Sequence, residues 1–370
     1  MEWLPLIAIS PYLFLFLYIY RHLLKADPYS PDNDPGILVS VIVPCRNEQK
    51  NIKGVLDSLA AQSYPSGLFR VIIADDHSDD STFSIASSYT RLANLKVIRN
   101  EGSGKKDAIR TGIRYSEGDL IITTDADCRM DPWWIRTIAS YYSDFTPGMI
   151  ICPVVLQGSS GFFGRFQELE FLGLQGITAG TALAGHPSMC NGANLSFTRD
   201  LYSEHSGDLR SDIPSGDDIF LLQSVKRGGR AAIKWLESPL AAVTTSSSPN
   251  LIHFIRQRAR WISKAGSYRD RFTIILAAVT FFTILLELSL LAAAIISPGY
   301  SLTLLMFFAA KSVPDFLILT NSARRYAKPE LMRWFLPAQI IYPFYVVAVT
   351  VYSVFFADSG SFSYPSPKGT

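Results

Sequence analysis

The chain has 370 residues, a formal net charge of +2 and a hydrophobic share of 48%. That length allows one large domain or two ordinary ones. The near-neutral charge, with no basic patch interleaved with aromatics, argues against nucleic acid as a partner.

The apolar residues gather at the two ends of the chain. Residues 3–20 carry no charge, residues 272–296 carry only Glu287, residues 301–320 carry Lys311 and Asp315, and residues 335–356 carry none. A helix needs about 20 apolar residues to cross the hydrocarbon core, so four spans are expected. Arg21, His22 and Lys25 follow the first run instead of preceding it, which suits a retained anchor better than a cleaved leader. Basic residues flank the inner ends of the spans: Arg21 and Lys25, then Lys264, Arg269 and Arg271, then the loop at 321–333. By the positive-inside rule, the N-terminus lies outside and residues 21–271 lie in the cytoplasm. Charges inside spans are costly and seek partners. Lys311 and Asp315, four apart, are expected either to pair with each other or to line an acceptor cavity.

Residues 26–36 form a Pro/Asp linker. LVSVIVP (38–44) follows as a buried strand by length and β-branching. Further strands are expected at 71–76, 95–99 and 119–125. Helices are expected at 51–59, 81–92 and 105–115. Strands alternating with helices imply βαβ units and a parallel sheet, with ligands outside the carboxyl ends of the strands. Residues 162–180 read as a long helix, either on the membrane surface or in the core of the domain. The expected boundaries are an anchor at 1–25, a cytoplasmic domain at 26–249, an interfacial helix at 250–271, three spans at 272–357 and a polar tail at 358–370.

The fourth strand runs into Asp125-Ala126-Asp127. In a strand, residues i and i+2 point to the same side, so both carboxylates are expected to face one site that suits Mg²⁺ or Mn²⁺. A polar turn is the plainer reading. Asp75 and Asp76 stand at another strand exit, and one site explains such a collection better than scattered turns. EGSGKKD lacks the leading Gly and trailing Ser/Thr of a P-loop. No Gly-x-Gly-x-x-Gly follows the first strand, so neither phosphate motif is present. Cys45, Cys128, Cys152 and Cys190 form no Cys-x-x-Cys pair and read as reduced core thiols.

In order, VSVIVPCRNEQKNI, ADDHSDDST, GKKDAIRTGI, DAD, SGDD and QRARW resemble the motifs of family 2 glycosyltransferases. The resemblance covers roughly residues 37–262. It extends to membrane-embedded members such as ceramide glucosyltransferases and processive polysaccharide synthases. It implies an α/β GT-A nucleotide-sugar-binding domain with a mostly parallel central sheet, joined to one N-terminal and three C-terminal transmembrane helices. It also implies an integral protein of a bacterial plasma membrane.

By resemblance, Asp127 holds the metal with help from Asp125. Asp76, with Asp75 beside it, accepts the uracil N3–H, and Pro44, Arg46 and Glu48 line the same donor pocket. Lys105 meets the donor phosphate or sugar, unless it is only a solvated first-turn lysine. Asp218 is the general base, and Asp217 replaces the usual Glu beside it; both also suit the first turn of a helix. Asn191, Gly192 and Asn194 shape the acceptor wall. Gln257 and Arg260, three apart on one helix face, approach the diphosphate, and Trp261 stacks on the acceptor, unless all three are interfacial anchors. Asp79 and Asp80 read as turn residues.

One base and no second nucleophilic carboxylate imply inversion. The acceptor is a lipid receiving one sugar from a nucleotide-sugar donor, with a UDP-sugar expected. The alternative is a growing glycan in a processive synthase, which Gln-x-x-Arg-Trp also suits. A third reading is a non-catalytic binder of nucleotide sugars, against which Asp127, Asp218 and Arg260 all argue.

Overall fold

The computed structural model describes residues 4–32, 35–210, 216–229 and 231–356. The expected polar tail at 358–370 lies outside the described residues. In chain order the elements are α1 (Leu4–Ala8), α2 (Ser10–Leu23), β1 (Val39–Cys45), α3 (Ile52–Ala60), β2 (Phe69–Asp75), α4 (Thr82–Ser87), β3 (Leu95–Arg99), α5 (Lys105–Arg114), β4 (Leu120–Thr123), β5 (Arg129–Met130), α6 (Trp134–Phe145), β6 (Met149–Ile151), β7 (Val154–Gln157), α7 (Phe162–Leu183), β8 (Leu195–Thr198), α8 (Arg199–His205), α9 (Asp217–Gly228), β9 (Ile233–Trp235), β10 (Val243–Ser246), α10 (Leu251–Ile262), α11 (Arg271–Ile296), α12 (Ser301–Arg325) and α13 (Phe335–Phe356). They divide into two compact units. One comprises Asp27–Gln157 and Met189–Ser246; the other comprises Met1–Ala26, Gly158–Ser188 and Ser247–Thr370.

The first unit is built on a seven-stranded sheet of order β3-β2-β1-β4-β8-β6-β9. The four strands β3, β2, β1 and β4 run parallel, and β8 inserts antiparallel between β4 and β6. The expected, mostly parallel sheet is therefore present. Every residue of β1 is buried, as its largely apolar, β-branched sequence suits a strand covered on both faces. The register aligns Cys45 with Asp75 and Ile42 with Thr123, so β1, β2 and β4 deliver their carboxyl ends to one rim. Helix α5 closes on β1 at Gly112, where an added Cβ would lie 2.6 Å from Ile42 Cγ2. That close approach fixes α5 against the sheet and sets Lys105 at its start beside the rim.

Two expected elements of this unit are clearly shorter in the structure. The helix expected at 81–92 ends at Ser87, where Ser87 and Ser88 offer the backbone competing hydrogen bonds. The fourth strand ends at Thr123, with its last β8 pair at Thr123–Leu195.

The second unit is helical. Four helical stretches are long and apolar enough to cross a membrane: Leu4–Leu23, Arg271–Ile296, Pro298–Arg325 and Pro329–Phe355. These match the four expected spans. Helix α7 belongs to this unit, so the expected continuous domain at 26–249 is interrupted. The reason is packing by small residues. At Gly180 an added Cβ would lie 2.6 Å from Ile19 Cγ2, and at Gly176 it would lie 2.7 Å from Ile318 Cγ2. Gly176 and Gly180, four apart on one side of α7, thus seat it against both α12 and α2, and it is a core helix of the helical unit. The Arg325 guanidinium donates to the Leu23 and Ala26 carbonyls, both at 3.0 Å, and closes the C-terminal end of α2.

A buried polar network joins all four spans. Lys311 Nζ meets Gln339 Oε1 at 2.9 Å, Asp315 Oδ2 at 3.2 Å and Glu287 Oε2 at 3.8 Å. The Tyr12 hydroxyl donates to Asp315 Oδ1 at 2.5 Å. Lys311 and Asp315 pair as expected, inside a larger cluster.

Candidate active site

The rim is assembled from loops that lock onto one another. After β1, the Asn47 N–H donates to Ser78 Oγ at 2.9 Å, and Asn47 Oδ1 accepts the Asp79 N–H at 2.8 Å. The Glu48 N–H donates to Thr82 Oγ1 at 2.7 Å. Asn47 sits at φ 57, a left-handed conformation that Asn tolerates better than most residues. Pro44 is buried in β1 beneath this loop. The Asp80 carboxylate accepts the N–H groups of Thr82 and Gln49, and so acts as a turn residue.

Asp76 is the junction of this corner. Its oxygens accept the Gly104 N–H at 2.9 and 3.0 Å and Asn100 Nδ2 at 2.7 Å, with Arg46 Nη1 at 3.7 Å. Those donors come from two different loops, the β3–α5 connection and the loop after β1. A carboxylate offers about four acceptor positions, so Asp76 retains room for one more donor. Asp75 is placed differently from the expectation. It is fully buried and accepts from Arg99 Nη1 at 2.6 Å and the Ser78 N–H at 3.1 Å. It therefore supports the floor of the corner and presents no surface to a nucleoside. The alternation of a strand carries its side chain to the opposite side from Asp76.

Asp125 and Asp127 also depart from the expected strand geometry. They lie in a turn closed by the Cys128 N–H on the Asp125 carbonyl at 3.1 Å. The turn, and not strand alternation, keeps them close. Lys105 Nζ meets Asp125 Oδ1 at 2.5 Å, and the Thr245 hydroxyl donates to Asp127 Oδ2 at 2.8 Å. Burial pushes the Asp127 carboxyl above its ordinary range, and the charge of Asp125 adds to the shift. Glu48 is also pushed up by burial. Its hydrogen bond from Asn51 opposes the shift, while the charges of Asp127, Asp125 and Asp80 add to it. Two mutually repelling carboxylates with hard oxygen donors suit a divalent cation that keeps part of its shell for water and phosphate. Among the described residues no cluster of three or more His, Cys, Asp or Glu side chains is set to hold an ion alone. Asp125 and Asp127 are the oxygen donors here that could hold such a cation, with the rest of its shell left to a ligand.

Asp218 stands in the first turn of α9. Its Oδ2 accepts the Gly192 N–H at 2.9 Å, and its Oδ1 accepts the Ile219 N–H at 2.7 Å. The Thr123 hydroxyl donates to the Gly192 carbonyl at 2.9 Å. Gly192 thus bridges Asp218 to the end of β4, two residues before Asp125. Asp217 shares this wall: an added Cβ at Gly192 would lie 3.6 Å from Asp217 Oδ2. Asn191 caps the turn by accepting the Ala193 N–H at 3.0 Å. Asn194 is fully buried. Its Nδ2 donates to the carbonyls of Pro153 and Ala241 at 2.7 and 2.8 Å, and its Oδ1 accepts Trp134 Nε1 at 3.1 Å. It braces the Gly192–Asn194 turn from behind, without reaching the surface.

Gln257, Arg260 and Trp261 lie on α10, in the helical unit. The helix ends at Ile262, short of the expected 271, where α11 begins. Gln257 Oε1 accepts from Arg258 Nη1 at 2.6 Å and from the Ser248 hydroxyl at 3.2 Å. Arg260 is half-buried. The Trp261 ring packs 4.2 Å from the Arg258 guanidinium carbon. Sequence reasoning missed Asn100, Thr245, Arg258 and Glu170. Each is recruited by a partner far away in the chain, so no local pattern marks it.

Residues 40–205 match the family model of glycosyl transferase family 2. The probable glycosyltransferase YdaM of Bacillus subtilis is 32% identical over 235 residues, covering 60% of this chain and 54% of the relative. The undecaprenyl-phosphate 4-deoxy-4-formamido-L-arabinose transferase of Yersinia pestis is 30% identical over 104 residues, covering 27% of this chain and 32% of the relative. Across these and similar curated relatives, the match spans 21% to 54% of the relative's own length. The mannosyltransferase PcManGT of Pyrobaculum calidifontis, solved in complex with GDP-Man and Mn²⁺, aligns with a TM-score of 0.58 at 22% identity. That alignment covers 96% of this chain and 99% of that one, and it shows a shared GT-A fold.

Proposed function

We propose that the chain, whose residues 40–205 match the family model of glycosyl transferase family 2, moves a sugar from a nucleotide-sugar donor, a UDP-sugar in our reading, to a membrane lipid. The observation that carries this is the shared rim. Asp76 is tied to Gly104, Lys105 to Asp125, and Asp218 through Gly192 to Thr123. Donor carboxylates and a candidate base are thereby held by one continuous set of bonds.

Asp76 takes the nucleobase with its remaining acceptor position, with Arg46, Glu48 and Pro44 around it. Asp125 and Asp127 would hold a divalent cation, which when bound neutralises charge on the departing diphosphate. Lys105 gives up its contact with Asp125 to a phosphate oxygen as the donor enters. Asp218 accepts the proton of the attacking hydroxyl; such a base contributes about 10²–10⁴-fold. Gln257 and Arg260 serve the diphosphate, and Trp261 serves the acceptor. The sugar is displaced once, with inversion. The catalytic face is cytoplasmic, the N-terminus lies outside, and the membrane is a bacterial plasma membrane.

A lipid acceptor is favoured over a growing polymer by the four spans. They converge on buried Lys311 through Tyr12, Glu287, Asp315 and Gln339, and this cluster fills space that a polysaccharide conduit needs. The relative named as an undecaprenyl-phosphate transferase supports a lipid-linked acceptor. The test incubates the purified chain in lipid with radiolabelled UDP- and GDP-sugars and Mn²⁺. Label in the organic extract is expected. Water-soluble, high-mass label would establish the processive synthase instead, and donor binding without turnover would establish a binder.

A further inference from the structure

We propose that Glu170 of α7 is a positioning residue that fixes which end of the Gln257 amide is presented to the donor diphosphate. This rests on the reading above that Gln257 serves that diphosphate.

Glu170 and Arg258 form a buried pair, with side chains only 6% and 4% exposed. Arg258 Nε donates to Glu170 Oε1 at 2.9 Å, and Nη2 donates to Oε2 at 2.6 Å. This two-pronged arrangement holds the guanidinium plane in place. The Tyr345 hydroxyl of α13 donates to the same carboxylate at 3.0 Å. The held guanidinium then aims Nη1 at Gln257 Oε1, 2.6 Å away. Arg carries donors and no acceptor, so only the amide oxygen of Gln257 can face it. The Ser248 hydroxyl, at 3.2 Å, meets that oxygen as well. The amide nitrogen is therefore turned away, as the end that donates. A diphosphate has only acceptor oxygens along its length, so the donating end is the useful one.

Helix α7 also sets the start of α10. One turn before Glu170, Gln167 Oε1 accepts the Ser248 N–H at 2.9 Å, and Gln167 Nε2 donates to the Ser248 carbonyl at 3.1 Å. Residues three apart share a helix face. One face of α7 thus holds Ser248, which touches Gln257, and Arg258, which orients it.

The experiment is a double-mutant cycle on the full chain in lipid nanodiscs. UDP and GDP binding in Mn²⁺ is measured by calorimetry for the parent, Glu170→Gln, Gln257→Ala and the double variant. Glu170→Gln is expected to weaken binding of the preferred nucleotide about tenfold, the worth of one hydrogen bond to a charged group. It is expected to have no further effect in the Gln257→Ala background. Equal losses in both backgrounds would make Glu170 merely structural and overturn the proposal. So would a loss in Gln257→Ala without one in Glu170→Gln, which would leave the diphosphate role of Gln257 standing. No loss in Gln257→Ala would overturn that role and this proposal together. Should Glu170→Gln fold poorly, Glu170→Met with Arg258→Met removes the pair without leaving a lone buried charge, and must give the same loss.

Discussion

The Gly192 backbone N–H and the Asp218 carboxylate lie 2.9 Å apart, and the other Asp218 oxygen is held by the Ile219 N–H. A carboxylate fixed by two backbone donors is preorganised to take a proton in one direction. With Asp218 as the single proposed base, a single displacement is predicted. The glycoside formed is expected to have the anomeric configuration opposite to that of the donor, as read by proton NMR of the purified product. Retention would require a second nucleophile and would remove Asp218 from the role of sole base.

Asp127 is half-buried beside Asp125, and its carboxyl is raised above its ordinary range, by desolvation first and then by that neighbour. A carboxyl with a raised folded-state pKa binds protons more readily in the folded chain. Its stabilising contribution is full below the unfolded pKa and is lost as pH rises through the raised one. Two outcomes are expected. At pH 7, Asp127→Asn raises the Tm of the metal-free protein. The same variant abolishes the rise in Tm that Mn²⁺ gives to the parent, a rise that itself fades as pH falls toward the acid range. Thermal unfolding across pH, with and without Mn²⁺, reads both.

Asn194 joins Pro153, Ala241 and Trp134 in the core. Asn194→Ala leaves two carbonyls and an indole N–H without that partner. Each unsatisfied group costs about 1–3 kcal/mol, so a loss of roughly 3 kcal/mol in unfolding free energy is expected. Asn191→Ala, which removes one cap bond, is expected to cost about 1 kcal/mol. Denaturant unfolding distinguishes the two. Equal, small losses would put Asn194 back at the acceptor surface.

Lys311 is enclosed by Glu287, Asp315 and Gln339. Removing one partner of a buried pair typically costs about 3–5 kcal/mol, and that loss is expected for Lys311→Met in detergent. Adding Glu287→Gln and Asp315→Asn is expected to restore much of it, because no uncompensated charge remains. Retention of full stability by the single variant would show that the four spans are held together without this network.

The strands were legible because β1, β2 and β4 are short, β-branched and mostly apolar, and the rim was legible because β2 and β4 run into paired aspartates. The spans were legible from length and charge alone. What stayed hidden depends on distant contacts. Nothing local to Thr245 reveals that it bonds Asp127, and nothing local to Glu170 reveals Arg258. Periodicity identified α7 as a helix but not its companions, because Gly176 and Gly180 acquire meaning only against Ile318 and Ile19. Asp75 and Asp76 look equivalent in sequence. Both are buried; alternation along the strand turns Asp75 to Arg99 and the Ser78 N–H, and Asp76 to Asn100 and the Gly104 N–H.

The most direct test of the account is Asp218→Asn, read in two ways on one preparation: transfer of labelled sugar into extractable lipid, and affinity for the donor nucleotide in Mn²⁺. Transfer is expected to fall by about 10²-fold or more, with nucleotide affinity within about twofold of the parent, because Asn keeps an acceptor for the Gly192 N–H. Transfer within a few-fold of the parent would contradict the assignment of Asp218 as the base and, with it, the catalytic reading of this rim.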